Sequence, residues 1–312
     1  MSEAHPESEA NLERELAPGL YLVGTPIGNL EDITLRALRV LRQADRIACE
    51  DTRQTQKLLN HFEIHTPTVS LHQHNERDRA VELIEDLKGG RRIAVVSDAG
   101  MPGISDPGGW LTQAAIAAGV TVYPIPGANA AVSALVASGL SAAEFQFLGF
   151  LPEKAGGRRT RLEALAQSSS SEESTPRSLI FYEAPHRILE TLADLESVWG
   201  PGLRVVVARE LTKLHEEFLR GTVEEVKANL AQRDRIRGEI TLVVEAVPLT
   251  QARPSTSLLA RLQHLETEGL TEKDALKRIA RESGQGKSDL YRELQRERAK
   301  NQNSSGHSQK RG

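Results

Sequence analysis

Short apolar runs alternate with amphipathic stretches along the first 126 residues of the chain. Residues 20–23 form an apolar run that ends at Gly24, which is typical of a buried strand. Residues 33–44 place their apolar side chains on one face at helical spacing. The further strands predicted in this half are 46–49, 93–97 and 120–124, and the further helices are 75–87 and 108–118. Strands that alternate with helices predict a parallel sheet with helices on both faces.

A second set of strands and helices is predicted after residue 126. The strands are 146–149, 178–182, 203–208 and 240–246, and the helices are 129–138, 186–198 and 222–232. The sequence thus predicts an α/β protein with an N-terminal α/β domain over 19–126 and a C-terminal α/β domain over 127–250. The boundary is placed near Pro126 and Gly127.

The segments outside these two domains differ in composition. Residues 1–18 are polar and acidic and are predicted to form a disordered leader, and residues 299–312 have a disordered composition as well. Residues 255–298 are predicted to form a small helical module, which the chain enters through a linker at 247–256. The Ser-rich stretch 168–175 is predicted to be an exposed loop.

Composition narrows the class of protein. The 312 residues are 39% hydrophobic and 26% charged, which describes a globular protein and excludes dominant disorder. The single cysteine, Cys49, cannot form an internal disulfide and is interpreted as a small core residue. No apolar run approaches the roughly 20 residues of a membrane helix. Because the polar N-terminus also lacks the apolar core of a secretory signal, we expect a cytoplasmic protein without a membrane partner.

The net charge of −4 conceals an uneven distribution along the chain. Residues 255–312 hold 12 Lys and Arg against 8 Asp and Glu, whereas residues 1–18 hold five Glu and one Arg. Such asymmetry allows local contact with a polyanion even though the whole chain is acidic. A solvated surface with uneven charge explains the same pattern equally well.

A loop of small residues follows the first predicted strand. Residues 24–30 (GTPIGNL) include Gly24 and Gly28, and small residues at a strand's carboxyl end let the backbone approach a ligand. The segment is neither G-x-G-x-x-G nor a P-loop, so it does not predict a dinucleotide-binding or P-loop nucleotide-binding site. A simple tight turn is the alternative.

A longer loop, residues 97–109, follows the predicted strand 93–97. It holds four Gly, two Pro and two Asp, which is more glycine than an ordinary connection needs. Ligands in open α/β sheets bind at the carboxyl ends of the strands, so a ligand-binding loop is favoured over a turn. Asp98 or Asp106 would suit an amine, a ribose hydroxyl or a cation.

Three further segments place opposite charges at predicted strand ends: 50–53 (EDTR), 181–187 (FYEAPHR) and 209–213 (RELTK). A functional role is favoured for the first, although a helix cap formed by Asp51 or Thr52 is the alternative. For the other two, a structural ion-pair network and a functional site are equally good explanations. The nine His have no metal-ligand spacing and there is no G-x-S-x-G elbow, so neither a metal site nor a serine nucleophile is predicted.

Two basic segments are candidates for contact with phosphate. Residues 154–161 (KAGGRRTR) combine four cations with glycine and no acid, as a flexible phosphate-binding loop would, although a solvated surface loop is the alternative. Residues 271–297 have the pattern of a helix, a glycine turn and a second helix, which resembles a helix-turn-helix. The cations predicted to contact nucleic acid are Lys154, Arg158, Arg159, Arg161, Lys277, Arg278 and Lys287.

Eight blocks of the sequence, taken in order, resemble one known family. The blocks are GTPIGNLEDIT (24–34), EDTRQTQKLL (50–59), SDAGMPGISDPG (97–108), PGANAAVSAL (126–135), GFLP (149–152), FYEAPHRI (181–188), RELTK (209–213) and GEITLVVE (238–245). Together they are similar to bacterial ribosomal RNA small-subunit methyltransferase I, over about residues 20–294. The wider superfamily is that of the tetrapyrrole methylases, which have two α/β domains with the cofactor in the cleft between them.

The first loop departs from the superfamily pattern. Tetrapyrrole methylases usually carry G-x-G-x-G-D after the first strand, whereas this chain has GTPIGN at 24–29. The departure points away from tetrapyrrole substrates and towards RNA. The resemblance then implies transfer of a methyl group from S-adenosylmethionine to the ribose 2′-oxygen of cytidine 1402 in 16S rRNA, by a homodimer. The rRNA within the 30S subunit is the expected substrate, and free rRNA is the alternative that the sequence leaves open.

The resemblance also implies which residues bind the cofactor. They lie in the first loop, in the loop from Asp98 to Asp106, after Gly127, and in two strands of the second domain. The residues implied are Pro26, Gly28, Asp98, Gly100, Gly103, Ile104, Asp106, Ser133, Tyr182, Glu239, Ile240 and Thr241.

No single catalytic base carries over from the resemblance. A ribose hydroxyl is a poor nucleophile until its proton leaves, so a carboxylate or a lysine is expected to assist, without any metal. The candidates are Glu50, Asp51, Glu183 and Lys213, and Arg53 or Lys213 could instead orient a phosphate. Two alternatives stay open: a small-molecule methyltransferase of the tetrapyrrole type, and a non-enzymatic nucleic-acid-binding regulator, which would leave loop 97–108 unexplained.

Overall fold

Two separate units make up the chain, residues 1–248 and residues 249–312. The computed structural model describes residues 15–72, 75–168, 177–246, 262, 265, 270–283, 290 and 294. In the first unit, two five-stranded sheets each carry their own helices. This arrangement confirms the predicted α/β fold.

The first sheet is parallel throughout, with the strand order β3-β2-β4-β1-β5. Leu20, on an inner strand, pairs with Ile93 on one side and Val122 on the other. The strands are β1 (Gly19–Val23), β2 (Arg46–Cys49), β3 (Thr68–Ser70), β4 (Arg92–Val96) and β5 (Val122–Ile125). The helices are α1 (Leu35–Gln43), α2 (Thr52–His61), α3 (Glu76–Lys88) and α4 (Gly109–Ala117).

Helices cover both faces of this sheet because side chains along a strand point alternately to opposite sides. Tyr21 and Val23 of β1 pack under α1 and α2, whereas Leu20 packs under α3 and α4. Cys49 is fully buried in the α1–α2 layer, as expected for a core residue. Leu16 is buried there too, so the packed chain begins before residue 18, where the predicted leader was expected to end. Residues 1–14 lie outside the described chain.

The sequence did not predict α2 or β3. Within α2 only Thr55 and Leu59 are buried, so its hydrophobic stripe is too thin to recognise. Its start is fixed locally instead, because the Asp51 side chain caps the helix by accepting a hydrogen bond from the Arg53 backbone N–H. β3 is a three-residue edge strand that is only half buried.

The second sheet has the order β6-β7-β10-β8-β9, in which β6 runs parallel to β7 and the other pairs are antiparallel. The edge strand β9 was not predicted, since its residues are half buried and carry little apolar signal. The strands are β6 (Phe145–Phe150), β7 (Arg177–Glu183), β8 (Arg204–Arg209), β9 (Glu217–Thr222) and β10 (Ile240–Ala246). The helices are α5 (Ala130–Ser138), α6 (Ala155–Ser168), α7 (Ile188–Trp199) and α8 (Val223–Ala231).

A loop of the first domain joins the core of the second. Ile27, from the loop after β1, packs with Ala134 and Leu135 of α5 and with Ile180 and Val243 of the second sheet. The loop of the first domain is therefore seated on the second domain, which fixes the geometry of the cleft between them.

The segment 154–161 is helical from Ala155 onward, rather than the flexible basic loop that its glycines predicted. It forms the first two turns of α6, and Arg158 is almost fully buried, with 1% of its side chain exposed. Its guanidinium donates to Asp194 at 2.7 Å and to Glu190 at 3.2 Å. The prediction that Arg158 contacts RNA is thereby corrected, because its charge is held inside the protein.

The second unit contains the helix α9 (Glu272–Ser283) and a small apolar cluster. Ala275, Ile279 and Leu290, predicted to be packed positions, all belong to that cluster. Several predicted features lie outside the described residues: the glycine turn, Lys287, the linker 247–256, the loop 168–175 after residue 168, and the tail 299–312. Among the helices that are described, none has the length and apolarity to cross a membrane.

Candidate active site

A cavity of about 380 Å³ lies between the loops at the carboxyl ends of the first sheet and the strands of the second. Its volume is in the range of small-molecule sites. The predicted cofactor-binding residues that line it are Gly100, Ile104, Asp106, Tyr182, Glu239, Ile240 and Thr241. The cavity is also lined by residues that the sequence did not single out, among them Ile27, Asn129, Phe150, Leu211 and Gly238. Each of these belongs to one of the eight family blocks, so the blocks marked the segments but not the individual side chains.

The loops of the first domain are joined by backbone hydrogen bonds. The Thr25 N–H donates to the Gly100 carbonyl at 2.9 Å, and the Gly100 N–H donates back to the Thr25 carbonyl at 3.1 Å. The Thr25 hydroxyl is buried and lies 3.3 Å from the carbonyl oxygens of Ser97 and Gly100. The two candidate ligand loops therefore form a single rigid wall.

Glycine is needed where these loops approach their neighbours most closely. A Cβ atom at Gly24 would lie 2.8 Å from the backbone of Gly127, and one at Gly28 would lie 2.4 Å from Cγ of Lys213. Both distances are shorter than real Cβ contacts, so neither position accepts a side chain without movement. Gly28 is thus explained by its contact with the second domain, whereas the family resemblance implied a contact with the cofactor.

Three carboxylates gather on the first-domain side of the cavity: Glu50, Asp98 and Asp106. Burial, reinforced by the nearby charge of Glu50, raises the pKa of Asp106 to about 6, although a hydrogen bond with Ser97 opposes the shift. Burial also raises the pKa of Glu50, with Asp98 as the next cause. A group of acids that raise one another's pKa has a negative charge that a cationic ligand would neutralise.

Glu183, at the end of β7, is a structural residue. Its side chain is fully buried, and one carboxylate oxygen accepts from Nη2 of Arg187 at 2.7 Å while the other accepts from the Thr191 hydroxyl at 2.6 Å. The backbone N–H of Ala184 donates to it as well. Glu183 lines the cavity, but both of its oxygens already accept hydrogen bonds, one of them from the Arg187 guanidinium. The assignment of Glu183 as a candidate proton acceptor is therefore corrected: this carboxylate shapes the loop after β7.

Lys213 is also unsuited to removing a proton. Its ammonium donates to Glu210 at 2.9 Å and to Glu239 at 2.8 Å. Burial lowers its pKa, but the two carboxylates outweigh burial and the net shift is upward. Lys213 therefore remains a cation at neutral pH, and its assignment as a candidate base is corrected in favour of a link between Glu210, Glu239 and the first loop.

Asp51 caps α2 and pairs with Arg53, whose guanidinium donates to its two carboxylate oxygens at 2.9 and 3.2 Å. These hydrogen bonds lower the pKa of Asp51, which makes it a weaker base than Glu50. The Asp51 N–H in turn donates to the Asp98 carboxylate at 3.2 Å. Asp98 therefore holds the start of α2 against the loop that lines the cavity.

Several predicted residues lie near the cavity without lining it: Pro26, Gly28, Asp98, Gly103 and Ser133. Ser133 is in the first turn of α5, and the residues of that segment that line the cavity are Asn129 and Ala130. Asn129 caps the helix by accepting a hydrogen bond from the Val132 N–H.

The remaining predicted RNA-binding cations differ in their availability. Lys154 and Arg161 are exposed, whereas Arg159 is half exposed and pairs with Asp194 at 3.1 Å. Lys277 and Arg278 are exposed on α9 in the second unit. Arg53, the one predicted phosphate contact on the first domain, has 88% of its side chain exposed.

With this geometry in place, comparison with known proteins defines the class of protein first. The family "Tetrapyrrole (Corrin/Porphyrin) Methylases" matches residues 19–227. The fold is similar to that of the solved uroporphyrin-III-C-methyltransferase from Thermus thermophilus, with a TM-score of 0.50 and 23% identity over 73% of this chain and 94% of that one. It is also similar to diphthine synthase, with a TM-score of 0.54 and 17% identity over 73% of this chain and 89% of that one. The chain is a tetrapyrrole methylase by fold and by sequence.

More similar relatives define the family within that class. The chain is 50% identical to ribosomal RNA small subunit methyltransferase I of Halalkalibacterium halodurans, over 87% of this chain and 93% of the relative. It is 45% identical to the protein of that name in Bacillus subtilis, over 87% of this chain and 92% of the relative. The chain belongs to the family of ribosomal RNA small subunit methyltransferase I.

Proposed function

We propose that this protein transfers a methyl group from S-adenosylmethionine to the ribose 2′-oxygen of cytidine 1402 in 16S rRNA. The observation that carries the proposal is the 50% identity to a ribosomal RNA small subunit methyltransferase I over 87% of the chain. The cavity between the two sheets, with its unneutralised carboxylates, is the site where the reaction would take place.

The residues around the cavity fit the proposed cofactor. Ile27, Leu211 and Ile240 offer apolar surface, and Tyr182 offers an aromatic ring, to an adenosyl group. Asp106 and its acidic neighbours suit the positive charge of a sulfonium and an amine. When bound, S-adenosylmethionine supplies an activated methyl group for an in-line displacement.

The protein's own contribution is alignment and removal of a proton. The ribose hydroxyl loses a proton as its oxygen is methylated, and an acceptor with a pKa near the working pH is the most effective. Asp106, with a pKa of about 6 and a place in the cavity wall, meets that requirement better than Asp51, Glu183 or Lys213. Glu50, whose pKa is also raised, is the second candidate.

The proposed substrate is the rRNA in the assembled 30S subunit, in the cytoplasm. The proposed active form is a homodimer, which is supported by exposed apolar residues on the second domain. Val132 and Val136, one turn apart on α5, are 46% and 71% exposed, and Phe145 on the edge strand β6 is 50% exposed. A Val136→Glu variant should sediment as a smaller species than the wild type, and an unchanged mass would contradict the homodimer.

The experiment that tests the proposal uses 30S subunits from a strain that lacks this protein. The purified enzyme and labelled S-adenosylmethionine should place one methyl group on the ribose of cytidine 1402, mapped by resistance of the 2′-O-methylated position to alkaline cleavage. A precorrin substrate serves as the matched control. Methylation of the precorrin instead of the 30S subunit would overturn the proposal and favour a small-molecule enzyme.

A further inference from the structure

The two helical layers of the first domain carry opposite charge. Helices α1 and α2 contain Arg36, Arg39, Arg42, Arg53 and Lys57 and no acidic residue. On the opposite face of the sheet, α3 holds five acidic and three basic side chains, and α4 holds no charged one. The contrast is notable in a chain whose net charge is −4, and it makes the α1–α2 face a cationic surface.

Helix stability accounts for Arg42, in the last turn of α1, but not for the cations at the starts of the two helices. Arg36 and Arg53 lie in the first turns of their helices, where the macrodipole disfavours positive charge, and neither first turn contains an acid. Helix α3, in contrast, has Glu76 and Asp78 in its first turn, as the dipole favours. The cations at the starts of α1 and α2 therefore call for another explanation.

Nor are most of these charges neutralised by neighbouring acids. Lys57 hydrogen-bonds to the neutral Gln54, and Arg42 donates to the Phe62 carbonyl. Among the described residues, Arg36, Arg42 and Lys57 form no ion pair, and Arg53 pairs with the capping Asp51. The acids that flank the two helices in sequence lie outside both of them: Glu31, Asp32, Asp45, Glu50, Asp51 and Glu63.

Two open grooves run across this face. One is lined in part by Arg39 and Arg42, and the other by Arg53 and Lys57 together with the polar side chains of Thr52, Gln56 and Asn60. Arg, Lys, Thr, Gln and Asn are the side chains that contact the phosphate and sugar of nucleic acids. The grooves thus offer cationic and neutral donors in the combination that a phosphate backbone accepts.

The face adjoins the cavity. Helix α1 follows the loop that contributes Ile27 to the cavity wall, and α2 starts at Asp51, whose N–H donates to Asp98. Both helices therefore begin at the edge of the sheet where the cavity lies. An RNA strand that delivers a nucleotide to the cavity would leave its flanking phosphates close to these helices.

We propose that the α1–α2 face binds the phosphate backbone of the rRNA that flanks the target nucleotide. This inference rests on the proposed function and adds a second contact surface to the cations of α6 and the C-terminal unit. Binding there is electrostatic and independent of base sequence, so it positions the RNA without selecting the methylated base.

The test compares two variants with the same change of charge. Arg36→Glu/Lys57→Glu reverses two cations of the face, and Arg77→Glu/Lys88→Glu reverses two exposed cations of α3. Affinity for 30S subunits from a strain lacking this protein is measured across a range of salt, with cofactor affinity and melting temperature as checks on folding. The face variant should bind about tenfold more weakly, with a salt slope reduced by about 1.4, because each lost contact to a single strand removes about 0.7.

The outcomes separate this inference from the proposed function. If the wild type methylates the subunits and the face variant binds as well as the α3 variant, the inference is overturned and the proposed function stands. If the wild type neither binds nor methylates them, both fail. A conservative Arg36→Lys/Lys57→Arg variant that keeps wild-type affinity and slope, beside a weakened charge-reversal variant, supports the inference.

Discussion

The two domains treat carboxylates that lie near the cavity in opposite ways. In the first domain, Glu50 and Asp106 lie close to other acids, and their pKa values are raised. In the second domain, Glu183 and Glu210 are each held by a cation, Arg187 or Lys213. Glu50 and Asp106, on the first-domain side of the cavity, thus have acidic neighbours, whereas Glu183 and Glu210, on the second-domain side, are each held in an ion pair.

This difference distinguishes carboxylates that are available to a ligand from carboxylates that stabilise the fold. Burying a carboxylate among other acids costs stability, so such a cluster persists only where the surrounding structure imposes it. A buried carboxylate with a cation and hydrogen-bond donors is already satisfied. The first-domain wall is therefore the one from which cofactor and proton chemistry should be sought, and the second-domain wall supports it.

The largest effect is expected from breaking the most buried ion pair of the second domain. Arg158→Met leaves Asp194 with Arg159 alone, at 3.1 Å, and should lower the free energy of unfolding by about 3–5 kcal/mol. Chemical denaturation measures this, with Arg161→Met on the exposed face of α6 as the control, for which a change within about 0.5 kcal/mol is expected. A loss below about 1 kcal/mol for Arg158→Met would mean that the pair is not structural.

Substitutions in the first-domain wall of the cavity should instead affect catalysis. Asp106→Asn removes the proposed proton acceptor and should lower kcat/KM about 100-fold or more. In the wild type, kcat/KM should rise with pH up to about 6 and then level off, because Asp106 must be ionised to accept a proton. The variant should lack this rise. A pH profile shared by both enzymes would exclude Asp106 as the acceptor.

Asp106→Asn should raise the stability of the folded protein, although it lowers kcat/KM. Because the pKa of Asp106 in the folded protein, about 6, is above its ordinary value of 3.8, ionising it opposes folding as the pH rises through 6. Without cofactor, Asp106→Asn should therefore be more stable than the wild type at pH 8, by about 1–2 kcal/mol after allowance for solvent screening, and not at pH 4. Melting curves at the two pH values test the sign.

The sequence predicted the strands and helices that bury wide apolar faces, such as β1 and α1, and the loops that form the cavity. It could not distinguish the two walls. FYEAPHR and RELTK place acids and bases at strand ends just as EDTR does, and only the folded chain shows that Glu183 meets Arg187 and Thr191. The role of Arg158 was hidden for the same reason, since its partner Asp194 is 36 residues away.

The smallest expected effect comes from the same kind of substitution at a carboxylate that is held in an ion pair. It contrasts directly with the effect of Asp106→Asn. Hydrogen bonds from Arg233 lower the pKa of Glu217 to about 2, with Arg209 as a further partner at 3.0 Å. Its ionised form therefore stabilises the fold above pH 4.5, and that contribution is lost as the pH falls through 2. Glu217→Gln should lower the free energy of unfolding by about 1 kcal/mol at pH 8, where Asp106→Asn raises it.

The control is Glu163→Gln on the exposed side of α6, which should change the free energy of unfolding by less than about 0.5 kcal/mol. If Glu217→Gln and Asp106→Asn shifted stability in the same direction at that pH, the distinction between satisfied and unsatisfied carboxylates would not hold.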